Sequence, residues 1–143
     1  MATLDIIMLI DDSSADNYFH DFIIRRSKVP AKVISMEGSQ EGFDYLQKSL
    51  SQEDNNEFPT PQLIFLDINM PAINGFELLD KLRELSDPYD RKRKMKIFML
   101  TGSLNPDDRM RINKYYSDIV SGFRIKPLYD EVVLDIVKEY FSE

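Results

Sequence analysis

The chain has 143 residues, the size of one compact domain with a single hydrophobic core. Its 25 acidic and 18 basic residues give a net charge of −7, which argues against direct binding to nucleic acid phosphates. It has no cysteine and one histidine, His20, which excludes disulfides, thiolate chemistry and multi-histidine metal sites. No basic-then-apolar leader opens the chain, and the longest aliphatic run, residues 6–10, is far shorter than the roughly 20 residues of a membrane-spanning helix. We expect a cytoplasmic protein without membrane contact, a single domain over residues 1–143 with no output domain.

Five segments have the composition of β-strands. The three strongest are apolar without polar alternation, which is typical of strands buried on both faces of a parallel sheet. These three are residues 4–10, 63–66 and 97–100, and the two weaker candidates are residues 32–36 and 122–125.

Between the strands, apolar residues recur with the period of an α-helix. The first helix follows the possible caps Ser13 and Ser14. Its apolar face is predicted to contain Ala15, Tyr18, Phe19, Phe22 and Ile23, with His20 toward water. A further helix is predicted to begin at Asn105-Pro106-Asp107-Asp108. The apolar faces of the other three helices contain Phe43, Leu46 and Leu50; Phe76, Leu79 and Leu82 after Asn74; and Val132, Val133, Ile136, Val137 and Phe141.

This alternation predicts an α/β fold, a (βα)5 doubly wound domain whose five-stranded parallel sheet is covered by helices on both faces. Two polar stretches, residues 51–62 and 86–96, are long for its connections and are interpreted as surface insertions. The second contains the basic run 91–94, either a docking site for an acidic partner or a solvated charge run.

Chemically reactive side chains follow four of the predicted strands. In open α/β sheets, ligands bind outside the carboxyl ends of the strands, so these side chains should meet at one edge. They are Asp11 and Asp12 after the first strand, Asp67 at the end of the third, Thr101 after the fourth, and Lys126-Pro127 after the fifth.

Three carboxylates at one edge repel one another unless a cation keeps them ionised. Oxygen ligands beside a lysine and a hydroxyl suit Mg²⁺, which commonly shares its ligand shell with a phosphoryl group. Because neighbouring strand residues point in opposite directions, one of Asp11 and Asp12 should bind the ion directly and the other through water. With Lys126 and Thr101 nearby, the set predicts phosphoryl transfer to Asp67 as the nucleophile.

The ordered set Asp11-Asp12, Asp67-Ile-Asn-Met-Pro71 with Gly75, Thr101-Gly102-Ser103 and Lys126-Pro127 resembles the receiver domain of two-component response regulators over essentially the whole chain. The resemblance implies a flavodoxin-like sheet of strand order 2-1-3-4-5. It implies that Asp67 is the phosphoacceptor and that Mg²⁺ binds to Asp12, Asp67 and the backbone carbonyl of Asn69, with Asp11 assisting. It further implies that Lys126 pairs with the acyl phosphate, that Thr101 and Phe123 act as switch residues, and that the peptide bond before Pro127 is cis.

By the same resemblance, the protein is a phosphorelay switch that catalyses only its own phosphorylation and dephosphorylation. Its donor would be a histidine kinase or a histidine phosphotransfer protein, and it would signal as a monomer or weak dimer to an unknown protein target. One alternative is a constitutive protein-binding module of the same fold that is not phosphorylated. Another is an aspartate-nucleophile phosphatase of the haloacid dehalogenase type. That class needs a second aspartate as general acid and base, and the amide of Asn69 cannot take this role.

Overall fold

Strands and helices alternate along the part of the chain that the computed structural model describes, residues 4–52, 57–70, 73–102 and 105–141. A single turn of 3₁₀-helix, Lys92–Lys94, precedes the fourth strand. The elements in chain order are β1 (Ile6–Ile10), α1 (Ser14–Arg26), β2 (Lys32–Met36), α2 (Ser39–Ser51), β3 (Leu63–Asp67), α3 (Gly75–Glu84), β4 (Lys96–Thr101), α4 (Pro106–Tyr115), β5 (Gly122–Ile125) and α5 (Asp130–Phe141). None of these described helices combines the length and the apolar character that crossing a membrane requires.

The strands form one parallel sheet in the order β2-β1-β3-β4-β5. The predicted fold class and strand order are therefore confirmed. All residues of β1 and β3 are buried, because these strands lie inside the sheet with helices on both faces. The edge strands β2 and β5 are only partly buried. This order brings the carboxyl ends of β1, β3, β4 and β5 to one side of the sheet.

The two faces of the sheet carry separate hydrophobic cores. Side chains alternate along each strand, so Met8 and Ile10 point to one face while Ile7 and Leu9 point to the other. Apolar residues of α2, α3 and α4 cover the first face. Those of α1 and α5 cover the second. Helices and apolar side chains therefore cover both faces of the sheet below its carboxyl edge.

The orientation of α1 differs from the sequence prediction. Tyr18 is 79% exposed and Phe22 is 52% exposed. Ala15 and Phe19 are exposed as well, so of the five predicted core residues only Ile23 is buried. The residues that face the sheet are Asn17, His20, Ile23 and Ile24.

Hydrogen bonds to backbone groups explain why two polar side chains take the inner face of α1. The Asn17 amide donates to the carbonyl oxygens of Asp11 and Met36, at 3.1 Å each. His20 Nε2 accepts from the backbone N–H of Leu128 at 3.3 Å. The prediction that His20 faces water is therefore wrong. Burial lowers the pKa of His20, and the charge of Lys126 acts in the same direction.

The helix starts agree with the sequence signals. The Ser13 hydroxyl accepts from the backbone N–H of Asp16, which confirms Ser13 as the cap of α1. Asn74 and Glu77 form a reciprocal capping box at the start of α3. Asn105 caps α4, whose first residue is Pro106.

The basic run of the insertion at residues 86–96 is anchored to neighbouring elements. The Asp87 carboxylate accepts from the backbone N–H groups of Arg91 and Lys92. The Lys92 ammonium donates to carbonyl oxygens at the end of α3, and the Arg91 guanidinium donates to the carbonyl of Ser49 in α2. These contacts hold the run at the amino-terminal end of β4, opposite to the edge with the carboxylates.

Candidate functional site

The functional side chains predicted from the sequence meet at the carboxyl edge of the sheet. Asp11 follows β1, Asp67 is the last residue of β3, Thr101 is the last of β4, and Lys126 follows β5. The backbone N–H of Lys126 donates to the carbonyl of Thr101 at 2.8 Å, which continues the pairing of β4 and β5 to the site. The topology therefore joins residues from four segments of the chain.

Three carboxylates form the acidic part of the site. Asp11, Asp12 and Asp67 each place one oxygen within 4.8 Å of the other two. Asp11 and Asp67 are buried, while Asp12 is exposed at the mouth of the site. Asp11 Oδ1 accepts from the backbone N–H of Ser13, and Asp67 Oδ1 accepts from that of Asn69. Backbone hydrogen bonds thus hold Asp11 and Asp67 in place, and Asp12 is the member of the cluster that is exposed to solvent.

The environment of Asp67 disfavours its charged form. Burial and, next to it, the charge of Asp11 raise the pKa of Asp67 to about 6, while Lys126 and the hydrogen bond from Asn69 oppose the change. A divalent cation among the three carboxylates would remove this repulsion. The donor set therefore fits a hard cation such as Mg²⁺.

Lys126 supplies the positive charge of the site. Its Nζ lies 2.6 Å from Asp11 Oδ2, 2.9 Å from Asp16 Oδ2 and 3.5 Å from Asp67 Oδ1. Burial disfavours the ammonium, but hydrogen bonds to Asp11 and Asp16 and attraction to Asp67 outweigh it, so the pKa of Lys126 is raised. The lysine is charged at any physiological pH.

The remaining predicted residues lie in β4, in β5 and directly after β5. Thr101 is buried at the end of β4, and the peptide bond between Lys126 and Pro127 is cis. The half-buried ring of Phe123 in β5 lies 5.6 Å from the Arg109 guanidinium of α4. Of the motif residues, Pro71 and Ser103 lie outside the described residues.

Gly75 is required at the first position of α3 for steric reasons. A Cβ atom there would lie 2.6 Å from the carbonyl oxygen of Asp67 and 3.1 Å from Cα of Ile68. Both neighbours belong to the backbone that carries Asp67. The close approach of α3 to this strand end therefore depends on a residue without a side chain.

Two polar residues next to the site, Asp16 and Asn17, were not among the site residues predicted from the sequence. Asp16 contacts Lys126, and Asn17 ties the strand end of β1 to that of β2 through the bonds described above. The only available signal was their position in the first turn of a helix that begins beside Asp12.

Comparison with known proteins agrees with this geometry. Residues 7–138 match the response regulator receiver domain family. The chain is 28% identical over 103 residues to the response regulator Rcp1 of Synechocystis sp., an alignment that covers 72% of this chain and 65% of Rcp1, slightly under two thirds of that relative.

Among solved structures, a two-component response regulator from Cytophaga hutchinsonii aligns over 99% of both chains, with a TM-score of 0.82 and 27% identity. The phosphorylated cyanobacterial phytochrome response regulator RcpA aligns over 98% of this chain and 96% of its own, with a TM-score of 0.73 and 25% identity. The fold, the site at the carboxyl edge and the match over most of the chain lead to one conclusion: this protein belongs to the response regulator receiver domain family.

Proposed function

We propose that this chain is a phosphorylation switch in which Asp67 accepts a phosphoryl group, with Mg²⁺, from a histidine kinase or a histidine phosphotransfer protein. The observation that carries the proposal is the convergence of Asp11, Asp12 and Asp67 with the ammonium of Lys126 at one strand edge. A domain with a purely structural role has no need for a cluster of carboxylates in which the pKa of Asp67 is raised.

The residues that would hold the ion are Asp12, Asp67 and the backbone carbonyl of Asn69, with Asp11 assisting. Mg²⁺ would neutralise the negative charge that collects on the phosphoryl oxygens during transfer. Asp67 and Asp11 are buried and held by backbone N–H groups, so their positions are set before a donor arrives. This pre-organisation is what phosphoryl transfer requires of the protein.

In the reaction, a carboxylate oxygen of Asp67 forms a new bond to phosphorus. The bond from phosphorus to the donor, to nitrogen in a phosphohistidine or to oxygen in acetyl phosphate, breaks, and its electron pair leaves with the donor. The Lys126 ammonium and the Thr101 hydroxyl then contact phosphoryl oxygens. No external substrate is turned over beyond the donor and the water that later hydrolyses the acyl phosphate.

The signal would leave through α4, β5 and α5. The Arg109 guanidinium in α4 lies over the ring of Phe123 in β5, so a change in the ring position alters a contact with α4. Met110 in α4 is 63% exposed, and Ile125, two residues after Phe123, is 51% exposed, so both can contact an effector protein. On phosphorylation, Thr101 would move toward the phosphoryl group and Phe123 would move inward. These movements would change the relative populations of two conformations of the α4, β5 and α5 surface.

The test is the intact mass of the protein after incubation with acetyl phosphate, with and without Mg²⁺. Wild type and the exposed control Asp135→Asn on α5 should each gain one phosphoryl group in Mg²⁺, and neither should in excess chelator. Asp67→Asn should gain none.

An adduct that persists in Asp67→Asn would show that another residue accepts the phosphoryl group. Absence of any adduct on wild type, together with no binding of beryllofluoride in Mg²⁺, would overturn the proposal and favour a constitutive protein-binding module.

A further inference from the structure

Lys126 is shared by three carboxylates, and the proposed function uses only two of them. The third, Asp16, lies in the first turn of α1 with its side chain 44% exposed. Its Oδ2 is 2.9 Å from Lys126 Nζ, a hydrogen bond, whereas Asp67 Oδ1 is 3.5 Å away. The ammonium is therefore bound more closely to Asp16 than to the phosphoacceptor.

The hydrogen-bond pattern at the start of α1 frees the Asp16 carboxylate from the usual capping role. An acidic residue at this position commonly accepts from the backbone N–H of the capping residue. Here the N–H of the cap, Ser13, donates to Asp11 Oδ1 at 2.9 Å. The Ser13 hydroxyl still accepts from the Asp16 backbone N–H at 3.1 Å, which fixes the position of that residue. The carboxylate is left to contact Lys126.

Asp16 does not belong to the candidate metal cluster. The group of carboxylates whose oxygens lie within 4.8 Å of one another contains Asp11, Asp12 and Asp67 but not Asp16. Its contact with the site runs through the ammonium of Lys126, a residue whose side chain is 17% exposed. A role for Asp16 must therefore be sought in where it holds that ammonium.

We propose that Asp16 is a positioning residue that holds Lys126 away from the phosphoryl position and thereby opposes the phosphorylated form of the switch. This inference rests on the proposed function, because it requires Lys126 to contact a phosphoryl group on Asp67. To do so, the ammonium must move out of its 2.9 Å contact with Asp16 toward a group beyond Asp67. The attraction between Asp16 and Lys126 is lost or weakened in that movement, and the phosphorylated form is less favourable by the same amount.

The test is the equilibrium affinity for beryllofluoride, a stable mimic of the phosphoryl group, measured by calorimetry in saturating Mg²⁺. Asp16→Asn keeps the shape and the backbone contacts but removes the charge. We expect it to bind beryllofluoride about 3- to 5-fold more tightly than wild type, the upper part of the range for a partly exposed ion pair. Asp16→Glu restores a carboxylate within reach of Lys126 and should return the affinity to within about twofold of wild type.

The matched control is Asp21→Asn, which removes a carboxylate from the same helix that pairs with Arg25 instead of Lys126. Its affinity should equal that of wild type. An unchanged or weaker affinity in Asp16→Asn, or an equal gain in Asp21→Asn, would overturn the inference while the proposed function stands. Failure of wild type to bind beryllofluoride, with no acetyl phosphate adduct, would overturn both.

Discussion

Replacing Asp67 by asparagine should make the metal-free protein more stable, by an amount that depends on pH. Burial and Asp11 raise the pKa of Asp67 from 3.8 to about 6. At 1.36 kcal/mol per pKa unit, the ionised carboxylate costs the folded state about 3 kcal/mol relative to the protonated one. Asparagine keeps the oxygen that accepts from the Asn69 N–H but carries no charge.

The direction with pH follows from proton binding. Between pH 3.8 and about 6, the folded wild type binds more protons than the unfolded chain, so its stability falls as the pH rises and the loss is complete above pH 6. The advantage of Asp67→Asn should therefore be about 3 kcal/mol at pH 8 and about half of that at pH 5. Titrating groups that do not interact with Asp67, His20 among them, affect both proteins alike and cancel in the difference.

The assay is urea unfolding followed by circular dichroism, in chelator, at pH 5 and pH 8. Asp135→Asn, an exposed replacement on α5, should change stability by less than about 0.5 kcal/mol at either pH. Saturating Mg²⁺ should narrow the gap by stabilising wild type. A variant no more stable than wild type at pH 8, or a stability difference of equal size at both pH values, would contradict this prediction.

Four further replacements test the packing of α1 and the packing around the site. Phe22→Ser should lower the free energy of unfolding by about 1 kcal/mol or less because about half of the residue is exposed, whereas Ile24→Ala should lower it by about 2 to 5 kcal/mol because Ile24 is fully buried. The reverse order in urea unfolding would support the face of α1 that the sequence predicted. Asn17→Ala should cost about 2 kcal/mol in the same assay, since two backbone carbonyls lose their donor, and a loss under 0.5 kcal/mol would show that water replaces it. Gly75→Ala should destabilise the fold by about 1 to 3 kcal/mol and slow labelling of Asp67 by acetyl phosphate; unchanged labelling would mean that α3 shifts without moving the acceptor.

The sheet could be predicted from the sequence because its strands are buried and strongly apolar. The predicted strands 63–66 and 97–100 differ from β3 and β4 by at most one residue at either end. The reactive residues Asp67 and Thr101 lie at the carboxyl ends of these two strands, as expected. The strand order came from the family resemblance, since alternating strands and helices are compatible with several orders. Periodicity determines which elements form, and only their packing partners determine where each one lies.

The parts of the site that escaped prediction depend on contacts between distant residues. Hydropathy placed Tyr18 and Phe22 inside, but the inner face of α1 meets backbone groups that need Asn17 and His20. The contact of Asp16 with Lys126 joins residues 110 positions apart and leaves no periodic trace. These hydrogen bonds form between segments that only the folded chain brings together, so a local sequence pattern cannot predict them.

The carboxylates of the site and the basic run 91–94 lie at opposite ends of the sheet. The carboxylates of the site lie at one end, and the basic run 91–94 lies before β4 at the other, about 20 Å away for a strand of six residues. In dilute salt, a charged partner would interact with the acidic site and the basic run at the same time. At 0.1 M salt, screening over about 10 Å is shorter than that separation, so each end would be sensed as a separate local potential.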